Sequence, residues 1–153
     1  MNLKDVIEHM QKGVKRNRVI IINQDVSSKY LDEISEISLE KVDVSLKLAE
    51  ILSGLPLEVK ENESWDLLKE FLESLNKDIL VLENLDYIFS PEVGNINPVE
   101  NFNYYSRNNQ LIIMFLKARK IGNDLIYSEE GLPDYNRMDI SQNKFVLGWE
   151  DEN

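Results

Sequence analysis

Three short apolar runs constrain the fold of this chain most strongly, because each is bounded by polar segments and none is long enough for a buried helix. They occupy residues 19–22, 79–82 and 111–116. Runs of this length, rich in β-branched residues, are typical of strands that are buried on both faces of a parallel sheet. Helical patterns separate them, and weaker strand signals lie at 39–44, 125–127 and 144–147. This alternation predicts an α/β fold with three layers, α/β/α, around a mostly parallel sheet.

Helical spacing and capping residues predict where the helices lie. An amphipathic helix is expected over residues 2–16, and others over residues 64–75 and from Asn97 to about Arg107. Ser45 and Asn97 are the predicted N-caps, and Pro98 suits the first helical position. With 153 residues the chain is long enough for one domain, which we expect to span residues 1–153 and to end in an acidic tail over residues 149–153.

The composition excludes several classes of protein. The chain has no cysteine and one histidine, so disulfides, cysteine nucleophiles and zinc sites are not expected, and a cytoplasmic location is predicted. No apolar run approaches the ~20 residues that span a bilayer, so no membrane association is predicted. The formal charge of −11 disfavours direct DNA binding and favours a basic protein partner.

The residues after the first apolar run match part of a phosphate-binding loop. Residues 23–30 overlay the motif G-x-x-x-x-G-K-[ST], in which backbone N–H groups and the lysine hold phosphates and the hydroxyl holds magnesium. Lys29 is in place, but Asn23 and Ser28 replace the two glycines and Tyr30 replaces the hydroxyl residue. The motif is therefore degenerate. It predicts ATP with magnesium as the candidate ligand, without efficient hydrolysis.

The second apolar run leads directly into Glu83, and a buried strand that ends in an acid has the Walker B form, in which the acid contacts magnesium. Asp86 is a further candidate catalytic acid, although it is offset by two positions. Arg119 follows the third run and is a candidate phosphate contact. Arg107 acts either as an arginine finger on a neighbouring subunit or as a cation at a helix C-terminus, and the sequence leaves both roles open.

Because the carboxyl ends of parallel strands share one edge of a sheet, these candidate residues are expected to converge there. The predicted pocket lies among residues 23–30, 83–86 and 117–119. The loop over residues 128–135 is expected to cover one side, with Tyr127 and Tyr135 available to stack on a base or to pack against the sheet.

The order of several short motifs resembles a known family. Residues 79–91, Asn97-Pro98-Val99, Ser106-Arg107-Asn108 and a late pattern over residues 124–135 are similar to the small P-loop-containing component of BREX phage-defence systems, BrxF. The resemblance implies an ATPase-like fold and a bacterial protein that acts with other defence-system subunits. It implies Lys29 as the loop lysine and Glu83 as the Walker B acid.

On this basis we expect a degenerate P-loop NTPase-like subunit with a regulatory or assembly role. Two alternatives remain. The first is an active ATPase of the same system that is completed when the chain forms a homo-oligomer. The second is an acidic protein that imitates DNA and blocks a DNA-binding enzyme, a role suggested by the net charge of −11.

Overall fold

A computed structural model describes residues 2–13 and 17–149 of the chain. The helices in these residues are α1 (Leu3–Lys12), α2 (Ser27–Glu33), α3 (Val44–Leu52), α4 (Leu57–Glu73) and α5 (Pro98–Ser106). The strands are β1 (Val19–Asn23), β2 (Glu40–Asp43), β3 (Ile79–Glu83), β4 (Leu111–Leu116), β5 (Arg119–Ile121), β6 (Asp124–Tyr127), β7 (Asn136–Asp139) and β8 (Val146–Leu147). Of the helices in this part of the chain, none combines the length and the apolar character that crossing a bilayer requires.

Five strands form the main sheet, in the order β2-β3-β4-β1-β8, and every neighbouring pair is parallel. The three apolar runs are its three central strands. Val19 of β1 is in register with Ile112 of β4, and Leu111 of β4 is in register with Ile79 of β3. The carboxyl ends of these strands therefore lie along one edge of the sheet. The predicted α/β class with a mostly parallel sheet is confirmed.

Helices cover both faces of the main sheet, which makes three layers. Successive side chains of a strand point to opposite faces. In β1, Ile20 and Ile22 therefore join the cluster beneath α1 and α2, whereas Val19 and Ile21 join the cluster beneath α3, α4 and α5. Full burial of one such side chain contributes about 1.5–3 kcal/mol, so the two clusters hold the central strands from both sides.

Several predicted element boundaries are wrong. α1 begins after its N-cap Asn2 and ends at Lys12, and residues 14–16 of the predicted helix lie outside the described residues. The N-cap of α3 is Asp43, whose carboxylate accepts from the Leu46 N–H at 3.0 Å, and not Ser45. α4 begins at Leu57 rather than at residue 64, because its first two turns are mostly exposed and therefore carry no apolar stripe.

A second, smaller sheet lies between β4 and β8 in the chain. β5, β6 and β7 form it as an antiparallel meander, in the order β5-β6-β7. The sequence predicted an edge strand at residues 125–127. A strand, β6, lies there, but its predicted place at an edge is wrong, because β6 is the central strand of the second sheet. All three residues of β5 are exposed, so its sequence carries no apolar alternation that would mark it as a strand.

The last described residues return to the main sheet. The last strand, predicted at residues 144–147, is β8, and it pairs with β1 through Val146 and Leu147. Trp149 packs against the cluster beneath α3, α4 and α5 rather than extending into a tail. The remaining residues of the predicted tail, 150–153, lie outside the described residues.

Candidate functional site

β1 lies at the point where the order of strands in the main sheet reverses. From β1 the chain crosses to β2 at one edge, whereas from β4 it passes beyond β1 to β8 at the other edge. Ligands of parallel α/β sheets bind at such a reversal, outside the carboxyl ends of the strands. A cavity of about 470 Å³ lies there, and we call it the switch-point crevice.

Three segments line the switch-point crevice. They contribute Asn23 at the end of β1 with Asp25 beyond it, Lys117, Ala118 and Arg119 between β4 and the start of β5, and Ile126, Tyr127, Ser128, Glu129 and Asp134 from β6 and the loop that follows it. The volume falls within the range of small-molecule sites, which is roughly 300–1,000 Å³. The small antiparallel sheet therefore forms one wall of the site, and the carboxyl ends of β1 and β4 form its floor.

The charges around the crevice are mixed. Lys117 and Arg119 bring two cations, and both side chains are exposed. Asp25, Glu129 and Asp134 bring three carboxylates. This arrangement suits a ligand that itself carries both signs of charge better than it suits a bare anion.

Arg119 is oriented within the crevice by the backbone beside it. Its guanidinium donates through Nη2 to the carbonyl of Ser128 at 3.2 Å. Ser128 has φ 67°, in the left-handed region that few residues other than glycine adopt. Its hydroxyl donates to Asp134 Oδ1 at 2.5 Å. Strained backbone of this kind is concentrated at binding sites, where the surrounding contacts hold it in place.

Tyr127 forms the apolar part of the wall. Its ring stacks on Phe89, with centroids 3.8 Å apart and planes inclined by 14°. Burial, followed by the nearby carboxylates of Asp86 and Asp134, raises the pKa of Tyr127 to about 12. The phenol is therefore protonated at neutral pH, and Asp86 lies beside the crevice although it is not part of its lining.

The segment that matches the phosphate-loop motif forms a tight turn instead of an open loop. Gln24–Val26 is a 3₁₀ turn that runs directly into α2. Asn23 has φ −62°, so the first glycine position of the motif is not left-handed. Its side chain accepts from the Asp25 N–H at 3.0 Å, and the Ser27 N–H donates to the Gln24 carbonyl. These N–H groups are therefore not free to surround a phosphate.

Lys29 lies in α2 and not in the crevice. The side chain is exposed, and its ammonium group lies 5.3 Å from the centroid of the Tyr30 ring. Tyr30 packs against the cluster beneath α1 and α2, and Ser28 is exposed. Of the residues predicted to bind nucleotide, the structure thus brings Asn23 and Arg119 together and places Ser28, Lys29 and Tyr30 elsewhere.

Glu83 ends β3 next to β2 and is separated from β1 by β4. It is partly buried, and its partner across the parallel ladder is Asp43. Asn84 follows with φ 53°, and its amide donates to Asp43 Oδ1 at 3.0 Å. The position where a catalytic acid would follow Glu83 is thus occupied by an amide that is directed towards β2, away from the crevice.

Arg107 lies near the amino ends of the strands of the main sheet, opposite the crevice. It is the C-cap of α5, and α5 ends before β4 begins. Its Nε donates to Asn17 Oδ1 at 3.1 Å, and its guanidinium lies 5.5 Å from the Tyr104 ring centroid. Arg107 therefore cannot contact the crevice of its own chain, and only a neighbouring copy could receive it as an arginine finger.

Gly148 and Trp149 close the crevice region, and no pattern in the sequence indicates this role. The Asn23 amide donates to the carbonyl of Gly148 at 3.1 Å, and the indole N–H of Trp149 donates to the carbonyl of Ala118 at 2.8 Å. A glycine and a tryptophan after a weak strand match no binding motif. Only the pairing of β8 with β1 brings them to the crevice.

Within residues 2–13 and 17–149, no group of three or more His, Cys, Asp and Glu side chains is arranged to hold a metal ion. Comparison of the chain with protein-family models, with curated proteins and with solved structures finds no match in any of the three.

Proposed function

We propose that this chain is a degenerate P-loop NTPase-like subunit of a cytoplasmic phage-defence complex of the BREX type, with a regulatory or assembly role. In this proposal it binds a nucleotide in the switch-point crevice and does not hydrolyse it efficiently. The observation that carries the proposal is the strand order β2-β3-β4-β1-β8, which puts a cavity of about 470 Å³ between the ends of β1 and β4.

The mixed charges support a nucleotide with magnesium as the ligand. Lys117 and Arg119 would contact phosphate oxygens, for which charge-assisted hydrogen bonds from arginine are well suited. Asp25 would hold magnesium together with the phosphates, since this ion is normally bound by one or two protein carboxylates and its substrate's oxygens. Magnesium would supply charge neutralisation between the phosphates and the carboxylates of the crevice.

Two local structures support binding without efficient hydrolysis. The tight turn after Asn23 uses N–H groups that an active loop would direct at the β-phosphate. The residue after Glu83 is Asn84, whose amide is bonded to Asp43, so that no carboxylate at this position is available to orient an attacking water. Neither feature interferes with binding on the other side of the crevice, at Lys117 and Arg119.

Isothermal titration calorimetry with ATP and magnesium tests the proposal. We expect Arg119→Ala to weaken binding roughly 10-fold or more, because it removes a hydrogen bond to a charged group. Lys29→Ala is the matched control, since it removes an exposed cation from α2 outside the crevice, and its affinity should stay within about twofold of the parent protein. Absence of binding by the parent protein would remove the nucleotide from the proposal. Loss of binding in Lys29→Ala alone would move the site to α2.

Phosphate release separates the proposal from the active-ATPase alternative. We expect the parent protein and Glu83→Gln to release phosphate at the same negligible rate. A faster rate for the parent protein, dependent on Arg107 and on protein concentration, would favour an ATPase that is completed by a neighbouring subunit. The subunit role is tested by size-exclusion chromatography of the chain co-expressed with the other subunits of such a defence system, and elution without any of them would contradict it.

A further inference from the structure

The segment Val146 to Trp149, which we call the strap, contacts both sides of the switch-point crevice. Val146 and Leu147 pair with Ile21 and Ile22 of β1. The next two residues make the hydrogen bonds described above, from Asn23 to the Gly148 carbonyl and from the Trp149 indole to the Ala118 carbonyl. Asn23 ends β1 and Ala118 follows β4. Two adjacent residues of the strap therefore tie together residues 23–27 and residues 117–120, which we call the two lips of the crevice.

Gly148 lies against the turn that forms one of these lips. Its φ of 92° is in the left-handed region, and a Cβ at this position would lie 2.7 Å from Val26 Cγ2 and 3.1 Å from Asn23 Cβ. The strap can therefore approach the turn this closely only because residue 148 has no side chain. The turn after β1 and the strap are therefore closely packed against each other.

The strap is held less firmly than the strands that it joins. β8 has two paired residues at the edge of the sheet, whereas β1 pairs with β4 over five residues. The strap residues are all only partly buried, while Val19 to Ile22 of β1 are fully buried. Short, partly exposed edge elements open at a lower free energy than central strands. We therefore expect the strap to detach at a lower free energy than the other four strands of the main sheet, which stay paired.

We propose that the strap is a latch for the switch-point crevice. When it is docked, Gly148 and Trp149 fix the turn after Asn23 relative to Ala118. When it detaches, the two lips are held together only by the pairing of β1 with β4, which ends at Asn23 and Leu116. Occupation of the crevice and docking of the strap are therefore coupled, and each stabilises the other to the same extent. Gly148 and Trp149 are positioning residues in this scheme. The ligand coupling rests on the proposed function, whereas the latching of the lips does not.

Hydrogen–deuterium exchange on the protein without ligand tests the latch. Trp149→Phe keeps an aromatic side chain but removes the indole N–H, and we expect exchange in peptides covering residues 23–27 and 117–120 to become roughly fivefold faster, as the loss of one hydrogen bond implies. Gly148→Ala should accelerate exchange in the same peptides. Trp65→Phe is the matched control, because Trp65 lies on α4 and packs on Phe102 of α5, and neither residue lines the crevice. Unchanged exchange at both lips in both strap variants would overturn the proposal.

Two internal measurements distinguish a local effect from general unfolding. Peptides covering β3 and α4 should keep the parent exchange rates in Trp149→Phe, and acceleration throughout the protein would contradict a latch. Asn23→Asp removes the side-chain donor to Gly148 while keeping an oxygen that can accept from the Asp25 N–H. It should accelerate exchange in peptides covering residues 117–120 and 145–149, which a purely structural role of Trp149 would not cause.

The ligand coupling has a spectroscopic test, because the chain contains two tryptophans. In Trp65→Phe, Trp149 is the sole tryptophan, and we expect its emission to shift when ATP and magnesium are added. Binding observed by calorimetry without a change in Trp149 emission would overturn the coupling. If no ATP binds, the proposed function fails, and the exchange rates at the two lips still decide whether the strap is a latch.

Discussion

At the scale of single residues, Tyr87, Glu92 and Lys60 form a small polar network between α4 and the turns after β3. The Tyr87 hydroxyl donates to Glu92 Oε2 at 2.5 Å, and Lys60 Nζ lies 3.4 Å from the same oxygen. The hydrogen bond from Tyr87, followed by the one from Lys60, holds the pKa of Glu92 below its ordinary value. Burial, followed by the hydrogen bond with Glu92, raises the pKa of Tyr87 to about 12.

Because the pKa of Glu92 is lowered in the folded state, the free energy of unfolding depends on pH. The folded state binds the carboxyl proton less tightly than the unfolded state, so the stabilisation is present above the unfolded pKa and is lost as pH falls through the folded pKa. We therefore expect Tyr87→Phe to raise the pKa of Glu92 towards its ordinary value, as measured by the ¹³C shift of its carboxyl carbon during an NMR titration. Tyr104→Phe is the control, since Tyr104 is 71% exposed and does not contact Glu92. An unchanged titration of Glu92 in Tyr87→Phe would show that the hydroxyl does not lower its pKa.

At the scale of secondary-structure elements, α5 depends on the cap that the sequence predicted. Asn97 Oδ1 accepts from the Glu100 N–H at 3.0 Å, and Pro98 occupies the first helical turn. Asn97→Ala should lower the free energy of unfolding by about 1 kcal/mol, because it leaves one N–H group at the helix start without its acceptor. Urea denaturation measures this loss. Asn97→Asp keeps the acceptor oxygen and should be close to the parent protein, so equal losses in the two variants would contradict a capping role.

Among the elements, the central strands were predictable from the sequence, whereas β5 and the N-cap of α3 were not. The three central strands were predictable because strands buried on both faces must be continuously apolar, and this pattern is visible along the chain. β5 was not predictable because all its residues are exposed and it is stabilised by pairing with β6. Asp43 was missed as an N-cap because Ser45 has equal capping chemistry, and only the fold decides which side chain meets the helix start.

The candidate site was predictable only where it depends on two neighbouring parallel strands. Asn23 and Arg119 converge as expected, because β1 and β4 are parallel neighbours. Glu83 lies two strands away from β1, roughly 10 Å along the sheet, and the order of strands cannot be obtained from spacing in the sequence. Lys29 is carried onto α2 by a turn whose hydrogen bonds depend on Asn23, so matching one position of a motif did not establish its geometry.

At the scale of the whole molecule, the charge of −11 is distributed unevenly over the surface. The exposed face of α4 carries Glu63, Asp66, Glu70 and Glu73, spaced three or four residues apart, so that adjacent carboxylates face each other along the helix. Within the described residues, none of these four carboxylates forms an ion pair. Such a stripe repels itself, and it should destabilise the protein most strongly at low ionic strength.

Replacing one carboxylate of this stripe tests whether the free energy of unfolding depends on the distribution of charge or on the total charge. Glu70→Lys turns two repulsive neighbours into attractive ones, and it should raise the free energy of unfolding by roughly 1 kcal/mol in low salt, with a smaller gain at higher salt. Glu50→Lys changes the net charge by the same amount but removes the partner of Lys47, which lies 3.1 Å from the Glu50 carboxylate, so it should be neutral or slightly destabilising. Thermal unfolding of both variants across a series of salt concentrations separates the two effects. Equal stabilisation by both variants would mean that the total charge acts on the protein as a whole and that the stripe on α4 has no local energetic consequence.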